Sequence, residues 1–213
     1  NIQDWFYDFT WQATPTLDAP SRQIGHWLVF ADPIQHPALA SAVEKVATSV
    51  TYVNPSDRYS FSNNRIGIRL NTPEDLERAL AHASGRGVLQ GVLFAWNLSD
   101  YHHAVDLPHL LDYEERIPTT FLQLATALAK AGGSTRLWGV TAGTQAVVGE
   151  VAVTERGLVD SMLWGLGRVI TLEMPEIWGG MVDLDPSTSQ FEQLMNEIAT
   201  RQNEDQIAYR QGT

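Results

Sequence analysis

The chain has 213 residues, 44% of them hydrophobic and 18% charged, with a formal charge of −11 from 14 Lys and Arg against 25 Asp and Glu. A globular chain of this length can bury about 70% of its unfolded surface, so disordered and fibrous classes drop out, and the acidic balance makes nucleic acid and anionic membranes poor partners. With no cysteine there is no disulfide, thiolate metal site or cysteine nucleophile, which points to the cytoplasm, and no apolar run approaches the ~20 residues of a spanning helix.

The first residue is Asn1 rather than Met, and the sequence is expected to be a piece of a longer polypeptide. From Trp5 to Trp11 the odd positions are Trp5, Tyr7, Phe9 and Trp11, while Asp8 and Thr10 alternate with them. That is the pattern of a half-buried strand with one aromatic face, placed at residues 1–12. Beyond a Pro-containing loop, short continuous apolar runs follow: His26–Phe30, Val50–Val53, Gly91–Trp96, Leu137–Thr141 and Met181–Leu184. Continuous rather than alternating runs mark strands covered on both faces. Ile66–Leu70 is a candidate further strand in the least regular stretch, from Asn54 to Asn71.

Helical stripes separate the strands. Leu39, Val43, Val46 and Ala47 form the first, and Leu76, Ala79, Leu80 and Ala83 the second, opening at Thr72-Pro73-Glu74-Asp75 with Thr72 as the expected cap. Phe121, Leu124, Ala125 and Leu128 form a third that stops at Gly132-Gly133. The fourth, Val159, Met162, Leu163, Leu166 and Ile170, holds Gly165 and Gly167 at its centre, each costing ~1 kcal/mol against Ala unless close packing offsets it. A fifth, Phe191, Leu194, Met195 and Ile198, follows a capping box from Ser189 to Glu192. Alternating strands and helices predict one α/β domain over 1–213: a truncated Rossmann-like parallel sheet flanked by helices. Extra edge strands are expected at the two ends, the last over 204–213 around Gln206–Arg210.

A Rossmann-like sheet invites a dinucleotide, yet the first strand runs into Ala31-Asp32-Pro33-Ile34 with no phosphate-cradling glycine. Gly85-Arg86-Gly87 and Gly165-Leu166-Gly167 lack the third glycine at its required spacing and read as turn and packing glycines. The tyrosine and lysine of a short-chain reductase are missing too, because Lys45 and Lys130 are the only lysines and Ser41 and Thr126 stand four residues before them. No Gly-x-Ser-x-Gly elbow occurs. Asp100, His102, His103, Asp106 and His109 cluster, and His102, Asp106 and His109 have metal-compatible helical spacing. Pro108 argues against a helix there, so a solvated loop is the reading adopted. No residue is assigned to catalysis, to a cofactor or to a metal.

The run from Leu163 to Leu184, with Trp164-Gly165-Leu166-Gly167-Arg168 and Trp178-Gly179-Gly180, closely resembles one stretch of the ketoreductase region of modular polyketide synthases. Tyr7–Trp11 with Pro15, Arg136–Gly143, and Glu204-Asp205-Gln206 leading to Tyr209-Arg210 are similar to that region's opening strand, its strand before a helix and its exit strand. The resemblance implies two Rossmann-like halves: a catalytic half that binds NADPH, and a degenerate half, this chain, that supports it without a cofactor. It implies as partner the catalytic ketoreductase subdomain or neighbouring synthase domains of the same polypeptide. The expected interface is Trp5, Tyr7, Phe9, Trp11, Ile207 and Tyr209, with Trp164, Gly165, Gly167 and Trp178 as structural packing. Two rivals stay open: a structural half serving a module with an inserted methyltransferase or enoylreductase and no working reductase, and a divergent nucleotide- or metal-dependent oxidoreductase.

Overall fold

A computed structural model describes residues 10–15, 23–98, 107–147, 155–187, 190–200 and 204–210. The elements run β1 (Ile24–Phe30), α1 (Pro37–Val46), β2 (Ala47–Pro55), β3 (Ser60–Ser62), β4 (Arg65–Ile68), α2 (Pro73–Ser84), β5 (Leu89–Phe94), α3 (Leu107–Ala131), β6 (Arg136–Ala142), α4 (Glu155–Glu173), β7 (Trp178–Leu184), α5 (Phe191–Thr200) and β8 (Gln206–Ala208). They build an eight-stranded sheet in the order β3-β4-β2-β1-β5-β6-β7-β8. All strand pairs are parallel except β3 with β4. This is the helix-flanked Rossmann-like sheet read from the alternation of runs and stripes.

Period-two alternation explains why the apolar runs are continuous. Leu28 and Phe30 of β1 enter a core under α2, α3 and α4, whereas Trp27 and Val29 enter a second core under α1 and α5. Each central strand therefore buries both sides, and no polar face is left to alternate. In β1 the polar residue His26 is buried as well, at 3% exposure. The hydroxyls of Ser49 and Thr51 bond its two ring nitrogens at 2.6 and 3.1 Å. Burial, and then the nearby charges of Arg86 and His82, hold its pKa below the ordinary histidine range.

Several local expectations change. The first described edge of the sheet is β3, brought back antiparallel by a turn at Asn63, which takes φ 57°. Of the aromatic strand expected at 1–12, residues 1–9 lie outside the described residues, and residues 10–12 are in no strand. Trp96 leaves β5 for a single 3-10 turn over Trp96–Leu98, but it stays buried and its indole N–H donates to the Val53 carbonyl at 2.8 Å. Thr72 precedes α2 without capping it by its side chain; its hydroxyl donates to the Leu70 carbonyl at 3.1 Å instead.

Helix α3 begins well before Phe121. Pro108 sits in its first turn, where a missing N–H breaks no helical bond, so proline is compatible with the helix that it was read to oppose. Pro118 lies inside the helix and leaves the Glu114 carbonyl without its usual N–H partner; the Thr119 hydroxyl takes that carbonyl at 3.0 Å. Ser189 of the expected capping box lies outside the described residues.

Candidate functional site

Open parallel sheets take ligands on the face formed by the carboxyl ends of their strands. At the end of β1, Asp32 folds the turn onto itself: its carboxylate accepts the Ile34 N–H at 2.9 Å and its carbonyl the His36 N–H at 2.9 Å. Helix α1 then opens on Pro37, with no N–H at its first position. Two N–H groups of the turn are thus engaged by Asp32, and the first helical position has none to offer a phosphate.

Asp160 and Asp183 stand among the buried carboxylates farther along the same face. Asp160 of α4 is fully buried and accepts hydrogen bonds from the Tyr113 hydroxyl of α3 and from Asn97 Nδ2 at 2.9 Å. Asp183 of β7 is also fully buried. It accepts the Thr141 hydroxyl at 2.6 Å, the Thr144 N–H at 3.0 Å, the Gln145 N–H at 2.9 Å and Arg210 Nη2 at 2.6 Å. Arg210, 8% exposed, donates further to the carbonyls of Gln145 at 2.6 Å and Tyr209 at 2.7 Å. Carboxylates held by donors in this way tie elements together.

The packing residues divide. Trp164 is 2% exposed and its indole N–H donates to the Thr141 hydroxyl at 2.9 Å, one bond away from Asp183. A Cβ at Gly167 would stand 2.9 Å from Met181 Cγ and 3.1 Å from the Trp178 ring, so this glycine lets α4 close on β7. Trp178 is buried and its indole N–H donates to Asp205 at 3.1 Å. Gly165 departs from expectation: a Cβ there would meet no atom within 4 Å among the described residues, because the position faces outward.

The expected interface residues divide as well. Trp5, Tyr7 and Phe9 lie outside the described residues. Trp11 is half-buried, its ring edge-on to Trp164 with centroids 6.2 Å apart. Tyr209 corrects the expectation, since it is 5% exposed and its hydroxyl donates to the Gln193 carbonyl of the chain's own α5 at 3.1 Å. Burial raises the pKa of that phenol and of the neighbouring Glu197 carboxyl. Ile207 is half-buried on β8, the strand at the other edge of the sheet. Asp100, His102, His103 and Asp106 lie outside the described residues, as does the side chain of His109. Among the described residues no group of three metal-ligating side chains converges.

What sequence reading missed is the outer face of α4. Leu158 is 69% exposed, Val169 54% and Leu172 81%, while Met162 is half-buried and Gly165 exposed. Positions 158, 162, 165, 169 and 172 follow alternating steps of four and three, which set them in one seam about 21 Å long. Leu111 and Leu122 of α3 are also exposed, so five of the eight large apolar side chains exposed among the described residues lie on these two helices. No helix among the described residues is long and apolar enough to cross a membrane.

The fold is that of a Rossmann-like subdomain with Asp160, Asp183 and Arg210 buried at its strand-end face. No protein-family profile matches the chain. It is 32% identical over 217 residues to the pikromycin polyketide synthase component PikAII of Streptomyces venezuelae, a match covering 99% of this chain and 5% of that polypeptide. Among solved structures it superposes on a keto acid-selecting NRPS module, described as adenylation, ketoreductase and pseudo Asub, with a TM-score of 0.79 and 21% identity over 95% of this chain and 17% of that one. It superposes on A-type ketoreductases from a modular polyketide synthase with a TM-score of 0.70 and 24% identity over 95% of this chain and 40% of those. The chain is therefore homologous along nearly its whole length to segments of modular polyketide synthases, and it has the fold of their ketoreductase subdomains. It spans only a small part of the polypeptides that it matches.

Proposed function

We propose that this chain is the noncatalytic structural half of a ketoreductase region, stabilising an adjacent catalytic half in the same synthase polypeptide and so serving polyketide assembly. The observation that carries this reading is the outer seam of α4, where Leu158, Val169 and Leu172 stand in water along one line. Three such side chains each gain roughly 1.5–3 kcal/mol when covered, far more than a solvent-facing helix ordinarily forgoes. The segment 1–9 with Trp5, Tyr7 and Phe9 is a second proposed contact, together with Ile207 on β8. Sequence supports the noncatalytic role: the turn after β1 has no glycine, and neither lysine has a tyrosine four residues before it.

Titration of the isolated chain with NADPH tests the role. No binding is expected up to about 100 μM, and a tighter dissociation constant, below about −5.5 kcal/mol, would restore the oxidoreductase reading. Reductase turnover of the parent polypeptide with and without residues 1–12 tests the second contact. Turnover is expected to fall on deletion although no hydride-transferring group is touched.

A further inference from the structure

We propose that Arg210 and Asp183 form a latch that ties the chain's exit segment to the loop entering α4, so that residues 204–210 and 142–147 open together as one unit. This proposal stands whether or not the partner of the α4 seam is a catalytic ketoreductase half. Strand β8 is only three residues long, lies at the sheet edge and is half-buried throughout. So short an edge strand has little stability of its own. Directly after it, the Arg210 guanidinium reaches back across the carboxyl ends of the strands. Nη1 donates to the Tyr209 carbonyl at 2.7 Å and the Asp183 carbonyl at 3.3 Å, and Nη2 to the Gln145 carbonyl at 2.6 Å and Asp183 Oδ2 at 2.6 Å.

The loop is held by the other side of the same carboxylate. Thr144 and Gln145 give Asp183 their backbone N–H groups. One carboxylate thus gathers three segments that are distant in sequence: β7, the loop after β6, and the exit. Through Thr141 and Trp164 it also reaches Trp11 near the other end of the chain. With Asp183 at 0% and the Arg210 side chain at 9% exposure, solvent cannot take over for either partner. Loss of the guanidinium would leave a buried charge whose remaining donors are the Thr141 hydroxyl of β6 and the two N–H groups of the loop, so the loop would have to move to let water in. Arg210 therefore occupies the strand-end face much as a bound cation would, and in doing so it fixes the direction in which the chain leaves the sheet.

The test is hydrogen exchange, read peptide by peptide in the parent polypeptide. For Arg210→Ala, peptides covering 142–147 and 204–210 should both exchange on the order of a hundredfold faster, with β1 and β5 unchanged. Methylguanidinium in the buffer should slow both again, and should do nothing for the Asp183→Asn/Arg210→Ala double variant. Thr141→Val removes one neutral donor and should speed both peptides in parallel by a smaller factor, which keeps the proposal testable if Arg210→Ala does not fold. Acceleration confined to 204–210, no acceleration in either peptide, or a methylguanidinium effect that survives Asp183→Asn would each overturn it.

Discussion

The two faces of α4 obey opposite rules although they alternate along one helix. Inward, Leu163, Trp164 and Ile170 are buried, Asp160 is enclosed by hydrogen bonds, and Gly167 allows contact with Met181 and Trp178. Outward, Leu158, Val169 and Leu172 are exposed, and a Cβ at Gly165 would meet no atom within 4 Å among the described residues. The inward face is complete within this chain, and the outward one is apolar without being covered. Two glycines two residues apart therefore have unrelated reasons to be there, and composition alone cannot separate them.

The largest expected effect comes from breaking the inward face. Trp164→Ala should cost about 3–5 kcal/mol in urea unfolding, since it empties a fully packed site and deprives the Thr141 hydroxyl of a donor. Gly167→Ala should cost about 1–3 kcal/mol, because the new methyl group must push Met181 or the Trp178 ring aside. Gly165→Ala sharpens the contrast by changing sign: in the isolated chain it should gain about 0.5–1 kcal/mol of helix stability in open space. Inside the parent polypeptide that gain should shrink or reverse if a partner approaches the seam there.

A smaller effect lies on the face of the sheet covered by α2, near His82 and Arg86, and serves as a control outside α4. His26 has a folded pKa below the ordinary 6.5, so the unfolded chain takes up its proton first. Its contribution to stability is intact above 6.5 and is lost as pH falls through the folded value. The unfolding free energy of the wild type should therefore decline below pH 6.5, and His26→Gln should flatten that decline. Trp164→Ala should leave it as it is.

Much of the fold was legible because each central strand buries both faces and so reads as a continuous apolar run, such as Trp27–Phe30 or Gly91–Phe94. Helix α3 extends far ahead of its Phe121 stripe because Pro108, a breaker in a helix interior, occupies the one turn that tolerates it. Strand β3 escaped because Ser60-Phe61-Ser62 is short and exposed, held only by its pairing with β4. Asp183 and Arg210 are 27 residues apart, and no periodicity links an acid in a strand to an arginine beyond the next helix. Asp160 did leave a signal, as an acid between Val159 and Leu163 on the apolar side of a helix. The outer seam left one as well, in Leu158, Val169 and Leu172, which the inward stripe has no room to accommodate.

The central claim is that the outer face of α4 belongs to a partner. It is tested most directly by Leu158→Glu, Val169→Glu and Leu172→Glu combined, measured in two settings. In the isolated chain the melting temperature should stay close to wild type, since surface changes usually fall within about 0.5 kcal/mol each. In the parent polypeptide the ketoreductase region should lose thermal stability and reductase turnover together. Unchanged stability and turnover in the parent polypeptide would contradict the account.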